Sequence, residues 1–227
     1  MDLGQKIKLE LESNHNYNYL IEKLNKYRIY VAGGCIRNIF LNKPIKDIDL
    51  FFNSTLSELS YYLEQMLEYG KLIYGPFGSP RWKPSESDIY FDIVPFSNFI
   101  VNNKEYTDIS EVLIDFDITI NAIGYDIKTE KIIDPLNGIA DIKQKIIRAT
   151  HLDFPDFVIK DGKNEISSLS VFWFRLLHYR NVLEFKFDEA TLNWVRDNKF
   201  RYKDLHSFQE IFFNPIIADD FLIDVSR

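Results

Sequence analysis

The feature that most constrains this chain is the run from Val31 to Phe52, where a glycine pair at a strand-to-helix turn precedes two carboxylates spaced for one strand face. Residues 29–32 are apolar and predict a strand, Gly33-Gly34 a tight turn, and residues 35–41 a helix whose first amide groups face an anion. Asp47 and Asp49 then lie two apart in a second strand and point to the same side. Two carboxylates beside a phosphate-sized turn can share divalent cations with a nucleotide, and such metals stabilise both the attacking and the leaving oxygen. Nucleotidyl transfer uses this chemistry. Either half alone is a common pattern, since many glycine turns precede helices and most Asp-x-Asp pairs are solvated.

The chain has 227 residues, 46% of them hydrophobic, enough for one large domain or two small ones. No apolar run approaches the roughly 18 residues of a membrane span, and residues 1–18 lack the apolar centre of a signal peptide. A cytoplasmic protein without a membrane partner is expected. Cys35, the one cysteine, excludes an internal disulfide and reads as a small residue fitting the turn. A net charge of −7 argues against a broadly basic nucleic-acid binder, so any RNA contact must be local.

Along the chain, residues 14–27 carry apolar positions at helical spacing, with Tyr17, Leu20, Ile21 and Leu24 on one face. A second helix is expected over 56–69 and strands over 71–75 and 89–96, separated by an irregular Pro- and Gly-rich loop at 76–84. In the strand over 89–96, Asp92 shares a face with Tyr90 and Val94. It supplies a third carboxylate if this strand neighbours Asp47 and Asp49, orienting metal or taking a proton; otherwise it pairs with Arg81 or Lys83. A hairpin at 122–134 and a helix at 139–148 follow, and runs such as 171–179 suggest a second, helical unit.

The blocks Gly33-Gly34-Cys35-Ile36-Arg37-Asn38 and Lys46-Asp47-Ile48-Asp49-Leu50 resemble the head of class II tRNA nucleotidyltransferases and bacterial poly(A) polymerases. Residues 117–125, beginning Asp117-Ile-Thr-Ile-Asn121, are similar to that family's Asp-Phe-Thr-Ile-Asn block. Asp134-Pro-Leu-Asn-Gly138, Asp141 and Ile147-Arg148 resemble blocks further on. The resemblance covers residues 29–150. It implies an α+β fold: a polymerase-β-like nucleotidyltransferase head with a mixed sheet (1–150), a connector (151–165) and a small helical neck-like domain (166–227).

By the same resemblance, Asp47 and Asp49 ligate two Mg2+ ions, while Gly33, Gly34 and Arg37 bind the triphosphate of ATP or CTP. Asn121 fixes the nucleotide sugar or nearby backbone, or simply stabilises a turn. The 3′ hydroxyl of an RNA, tRNA-like by preference, attacks the α-phosphorus and releases pyrophosphate. A protein or small-molecule acceptor, and a non-catalytic nucleotide-binding module, are the alternatives.

Two departures qualify the resemblance. Where the family has two arginines that help to hold the nucleotide, this sequence has Asp115 and Phe116. Where the family selects the base with Glu-Asp-x-x-Arg-x-x-Arg, it has Ser168, Leu169 and Phe172, keeping only the final Arg175, with His178 one turn later at another position where the family usually has Arg. Arg175 is a nucleotide contact or a surface arginine, His178 a titrating group or a packed neutral ring, and discrimination between C and A is expected to be relaxed. Arg196, Lys199, Arg201 and Lys203, interleaved with Phe200 and Tyr202, form a local basic cluster suited to RNA. Ending at Arg227, the sequence has no room for the family's body and tail, so a second copy or a protein partner is expected to complete acceptor recognition.

Overall fold

Apolar and polar residues alternate along the strands around Asp47 and Asp49, and the sheet they build frames the first half of the chain. The computed structural model describes residues 2–75, 77–99 and 104–218. Pro76, the start of the expected loop, lies outside them. The chain divides into two units, Met1–Phe116 with Ile120–Gly138, and Asp117–Thr119 with Ile139–Arg227. The second unit thus begins before the boundary expected near Thr150 and takes in a short segment from earlier in the chain.

In the first unit the order is α1 (Leu3–Glu12), α2 (His15–Lys23), β1 (Ile29–Ala32), α3 (Gly34–Phe40), β2 (Asp47–Phe52), α4 (Leu56–Met66), β3 (Gly70–Tyr74), β4 (Pro80–Pro84), β5 (Tyr90–Pro95), α5 (Ile109–Ile114), β6 (Gly124–Asp126) and β7 (Lys131–Ile133). Among the described residues the strands form one seven-stranded sheet, β3-β4-β5-β2-β1-β6-β7. Only β2 and β5 run parallel, so the sheet is mixed.

One face of the sheet is filled by Ile48, Leu50 and Phe52 of β2 with Trp82, Phe91 and Ile93, all buried. Each contributes about 1.5–3 kcal/mol by leaving water. α3 lies against β1 and β2, and α4 against β3. Trp82 donates its ring N–H to the Met66 carbonyl at 2.9 Å, tying the end of α4 to β4. On the other face Phe51 packs with Tyr30, Phe96, Tyr106 and, from α5, Ile109, Val112 and Leu113. Asp47 and Asp49 share the face of Phe51 but remain half-buried at the start of the strand.

Several elements differ from expectation. The supposed loop at 76–84 contains β4, in which Trp82 is buried between half-buried Arg81 and Lys83; alternation about an aromatic outweighs the flanking prolines. α1 is additional, although Ile7 and Leu11 stand four apart behind an Asp2 cap that accepts from the Gly4 N–H. The helix over 56–69 stops at Met66, having begun with a Thr55/Glu58 capping box.

The second unit contains α6 (Gly138–Gln144), β8 (Ile146–Ile147), β9 (Val158–Asp161), β10 (Asn164–Ser167), α7 (Ser168–Leu183), β11 (Lys186–Phe187), α8 (Glu189–Asp197), a 3₁₀ segment (Lys199–Asp204) and α9 (Leu205–Ile211). The helix expected over 139–148 ends early: Lys145 takes φ +57° and the chain turns into β8, which pairs with β11. The connector is not irregular, since β9 and β10 form a hairpin within and just beyond it. α7 is apolar nearly all round, burying Val171, Phe172, Trp173, Phe174, Leu176 and Leu177 as the core of this unit.

The later sequence blocks meet inside the second unit. Thr119 donates its hydroxyl to Asp141 at 2.6 Å, and Arg148 forks onto the same carboxylate at 3.0 and 3.2 Å. Its remaining nitrogen reaches Asp188 at 2.9 Å. Arg148→Ala leaves the buried Asp141 with a single partner, and is expected to cost about 2–3 kcal/mol, lowering the melting temperature by roughly 2–4 °C per kcal/mol. Thermal denaturation by circular dichroism reads this directly. Among the described residues no helix is long and apolar enough to cross a membrane.

Candidate active site

Gly33 takes φ +85°, ψ −150°, a conformation open to glycine and closed to residues with a Cβ. A Cβ built there would stand 2.6 Å from Asp49 Oδ2. The turn and the carboxylate are therefore in contact, and glycine is required on both counts. Gly33 also caps α3 without a side-chain hydrogen bond, and the ring edge of Phe116 borders the same turn. Gly33→Ala is expected to lower stability by about 1–3 kcal/mol, read as a fall in melting temperature.

Arg37 is 7% exposed. Its guanidinium donates to Asn121 Oδ1 and, through Nε and Nη2, to Asn38 Oδ1 at 3.2 and 2.9 Å. Asn38 in turn donates to the Pro44 carbonyl, closing the loop between α3 and β2. A Cβ on Gly34 would lie 3.2 Å from Arg37 Nη2, so the second glycine lets the guanidinium lie against the helix start. Asn121 is 3% exposed and accepts from Arg37, a partner that its motif did not indicate.

Sheet register brings the carboxylates together. Asp49 on β2 stands opposite Asp92 on β5, and Asp92 opposite Arg81 on β4. Both geometric conditions set for Asp92 are met: its strand neighbours that of Asp49, and Arg81 grips it, with Nε–Oδ1 and Nη2–Oδ2 each 2.6 Å. Burial, then the charges of Asp92 and Asp47 and the hydrogen bond to Asp92, hold the Asp49 carboxyl well above the usual carboxylate range; Arg81 opposes them. Burial likewise pushes the Cys35 thiol up, with Asp49 and Asp47 adding to it, so Cys35 is a packed residue and no nucleophile.

Crowded, desolvated carboxylates and an all-oxygen donor set fit a hard divalent cation such as Mg2+. Among the described residues no group of three or more His, Cys, Asp or Glu side chains converges as ligands. Asp92 is engaged by Arg81, which leaves Asp47 and Asp49 as the carboxylates that could hold such an ion.

The two residues that stand at the arginine positions have structural roles. Asp115 accepts from the Tyr106 hydroxyl at 2.8 Å and from Lys104 at 3.3 Å. Phe116 stacks on Phe99 and tilts against Phe51, extending the apolar cover of β2 to the glycine turn.

In the second unit, Arg175 donates to Asp117 at 2.7 Å and lies over the Tyr179 ring. Ser168 bonds the Pro155 carbonyl and Phe172 packs between Phe154 and Trp194, so two former base-selection positions are spent on packing. His178 Nδ1 accepts from the Ile216 N–H and its ring packs on Phe213, the packed reading. Within the basic cluster Arg201 is a correction: it is 8% exposed and bonds Asn198, Ser167 and Ser170. Arg196, Lys203 and Phe200 are exposed and Lys199 is half-buried. The residues that sequence reasoning missed are Asn38 and Arg81, the latter named only as an alternative partner of Asp92.

A glycine turn and a carboxylate pair on a mixed sheet, flanked by helices, define a polymerase-β-like nucleotidyltransferase head. Residues 29–148 match the family described as the Poly A polymerase head domain, and the chain belongs to that family, which it shares with class II tRNA nucleotidyltransferases. It is 32% identical over 123 residues to the CCA-adding enzyme of Buchnera aphidicola, covering 53% of this chain and 29% of that protein. It is 29% identical over 194 residues to the CCA-adding enzyme of Staphylococcus saprophyticus, covering 80% and 45%. Its fold matches that of a CCA-adding enzyme in complex with ATP with a TM-score of 0.67 at 17% identity, over 97% of this chain and 52% of the other. The chain thus spans less than half the length of the two curated relatives.

Proposed function

We propose that this chain carries the catalytic part of a metal-dependent nucleotidyltransferase, adding NMP from ATP or CTP to the 3′ end of a tRNA-like RNA and releasing pyrophosphate in the cytoplasm. The observation that carries this reading is the contact between the Gly33 turn and Asp49, with Arg37 buried beside it. Residues 1–150 act as the head and 166–227 as the neck.

Gly33 shapes the turn, its own N–H donating to the Ile123 carbonyl at 3.3 Å, and the Gly34 amide and the Arg37 guanidinium bind the triphosphate beside it, with Asn121 and Asn38 fixing Arg37 so that little reorganises when charge develops. Asp47 and Asp49 would hold Mg2+, which when bound neutralises phosphate oxygens and activates the attacking hydroxyl. Asp92, fixed beside Asp49, is placed to accept the proton of that hydroxyl. With Arg175 alone kept from the selection motif, C and A are discriminated weakly. Exposed Arg196, Lys203 and Phe200 offer a local RNA contact, with a second copy or a protein partner completing acceptor recognition.

The test incubates the protein and an Asp47→Ala/Asp49→Ala variant with each α-labelled NTP, Mg2+ and either total RNA or cell protein. Label on RNA with the wild type alone is expected. Label on protein would move the acceptor, a reading that the acidic charge of −7 favours next. No label on any acceptor, despite measurable NTP binding, would sink the enzymatic reading.

A further inference from the structure

Arg81, Asp92 and Asp49 occupy one row across three adjacent strands, β4, β5 and β2. Neighbouring strands stand about 4.8 Å apart, so consecutive side chains in the row touch. Arg81 uses two nitrogens on the two oxygens of Asp92, the bidentate geometry that fixes a carboxylate in orientation as well as position. Its guanidinium also lies over the Tyr90 ring, centroid distance 5.4 Å, which holds its plane from the side. The Arg81 side chain is 41% exposed while that of Asp92 is 16% exposed, so the clamp covers the acid from the solvent side. Nη1 makes no hydrogen bond to another described residue.

We propose that Arg81 is a positioning residue that withholds Asp92 from the divalent cation, leaving a two-carboxylate metal site and a third acid fixed in place. This rests on the nucleotidyltransferase reading for its meaning in catalysis. A free third carboxylate next to Asp47 and Asp49 would add both a ligand and a negative charge to the cation site. The clamp removes the ligand through its fork and the charge through its cation. The price of tighter metal binding without Arg81 is a mobile Asp92 that no longer meets the attacking hydroxyl in a fixed orientation.

Two variants separate fork from charge. Arg81→Ala removes both, and Arg81→Lys keeps the charge but loses the bidentate fork. The readout is Mn2+ binding to the nucleotide-free protein, followed by the electron paramagnetic resonance signal of free Mn2+, with thermal melts confirming that each variant folds. Arg81→Ala is expected to bind Mn2+ about tenfold more tightly than wild type, as loss of a nearby unit charge from a divalent site implies. Arg81→Lys is expected to bind within about threefold of wild type, while kcat falls in both variants and KM for NTP stays near its original value. Unchanged or weaker Mn2+ binding in a folded Arg81→Ala protein overturns the proposal, as does Arg81→Lys binding as tightly as Arg81→Ala. Since metal binding is measured without substrate, it decides the role of Arg81 even if no acceptor is ever labelled.

Discussion

Asp49→Asn is expected to abolish nucleotide incorporation while raising the melting temperature of the metal-free protein. The activity loss is at least about 10³-fold, the scale of several kcal/mol of transition-state stabilisation that metal ligation supplies. The stability gain follows from linkage. In the folded, metal-free chain Asp49 keeps its proton to a higher pH than an unfolded carboxyl does, because burial and then the Asp92 and Asp47 charges disfavour its ionisation. Between the ordinary aspartate value, about 3.9, and the raised one, the folded state binds more protons than the unfolded state, and stability falls as pH rises through that window. Asparagine carries no such penalty. The advantage of the variant should be small at pH 4 and fully developed above the raised Asp49 value, with roughly 2–4 °C for each kcal/mol gained. Melts in chelator across pH 4–8 check this; an advantage that does not grow with pH, or a destabilised variant at neutral pH, refutes the assignment.

Arg37→Ala carries the second large effect and acts twice. Removing the guanidinium should raise KM for NTP and lower kcat/KM by about 10²–10³-fold, the usual consequence of deleting one preorganised donor to a developing charge. It also strips Asn121 and Asn38 of their shared partner, and the buried Asn121 acceptor should cost about 1–3 kcal/mol of stability. Asn121→Ala separates the two effects. If Asn121 only orients Arg37, its removal produces a milder form of the same KM defect with no change in preference between ribonucleotides and deoxyribonucleotides. A lost preference for ribonucleotides would return Asn121 to the sugar.

The glycine turn and the carboxylate pair were legible because they are local: turn, helix start and paired carboxylates lie within one strand-helix-strand unit. Asp92 required only that two strands be neighbours. Arg81 required the register of a strand whose flanking prolines disguise it, and that register is a tertiary fact. Arg201 shows the opposite error, in which a basic residue within a charged run is read as facing a ligand; it instead bonds Ser167 and Ser170, distant in sequence. Asn121 likewise has a partner distant in sequence, Arg37. No local pattern distinguishes an arginine turned inward from one facing solvent. The blocks around Thr119, Asp141 and Arg148 marked the family but act as scaffold, so a motif's specificity did not by itself imply contact with substrate.

The segment that the second unit takes from earlier in the chain has a consequence during synthesis. All seven strands of the first unit's sheet are complete by Ile133. Asp117, however, precedes its partner Arg175 by 58 residues, and at about 5–20 residues per second it waits roughly 3–12 s for that partner to be made. Thr119 waits a shorter time for Asp141. The nascent chain can therefore close the carboxylate-bearing sheet on the ribosome while Asp117 and Thr119 stay open, held ready for helices not yet translated.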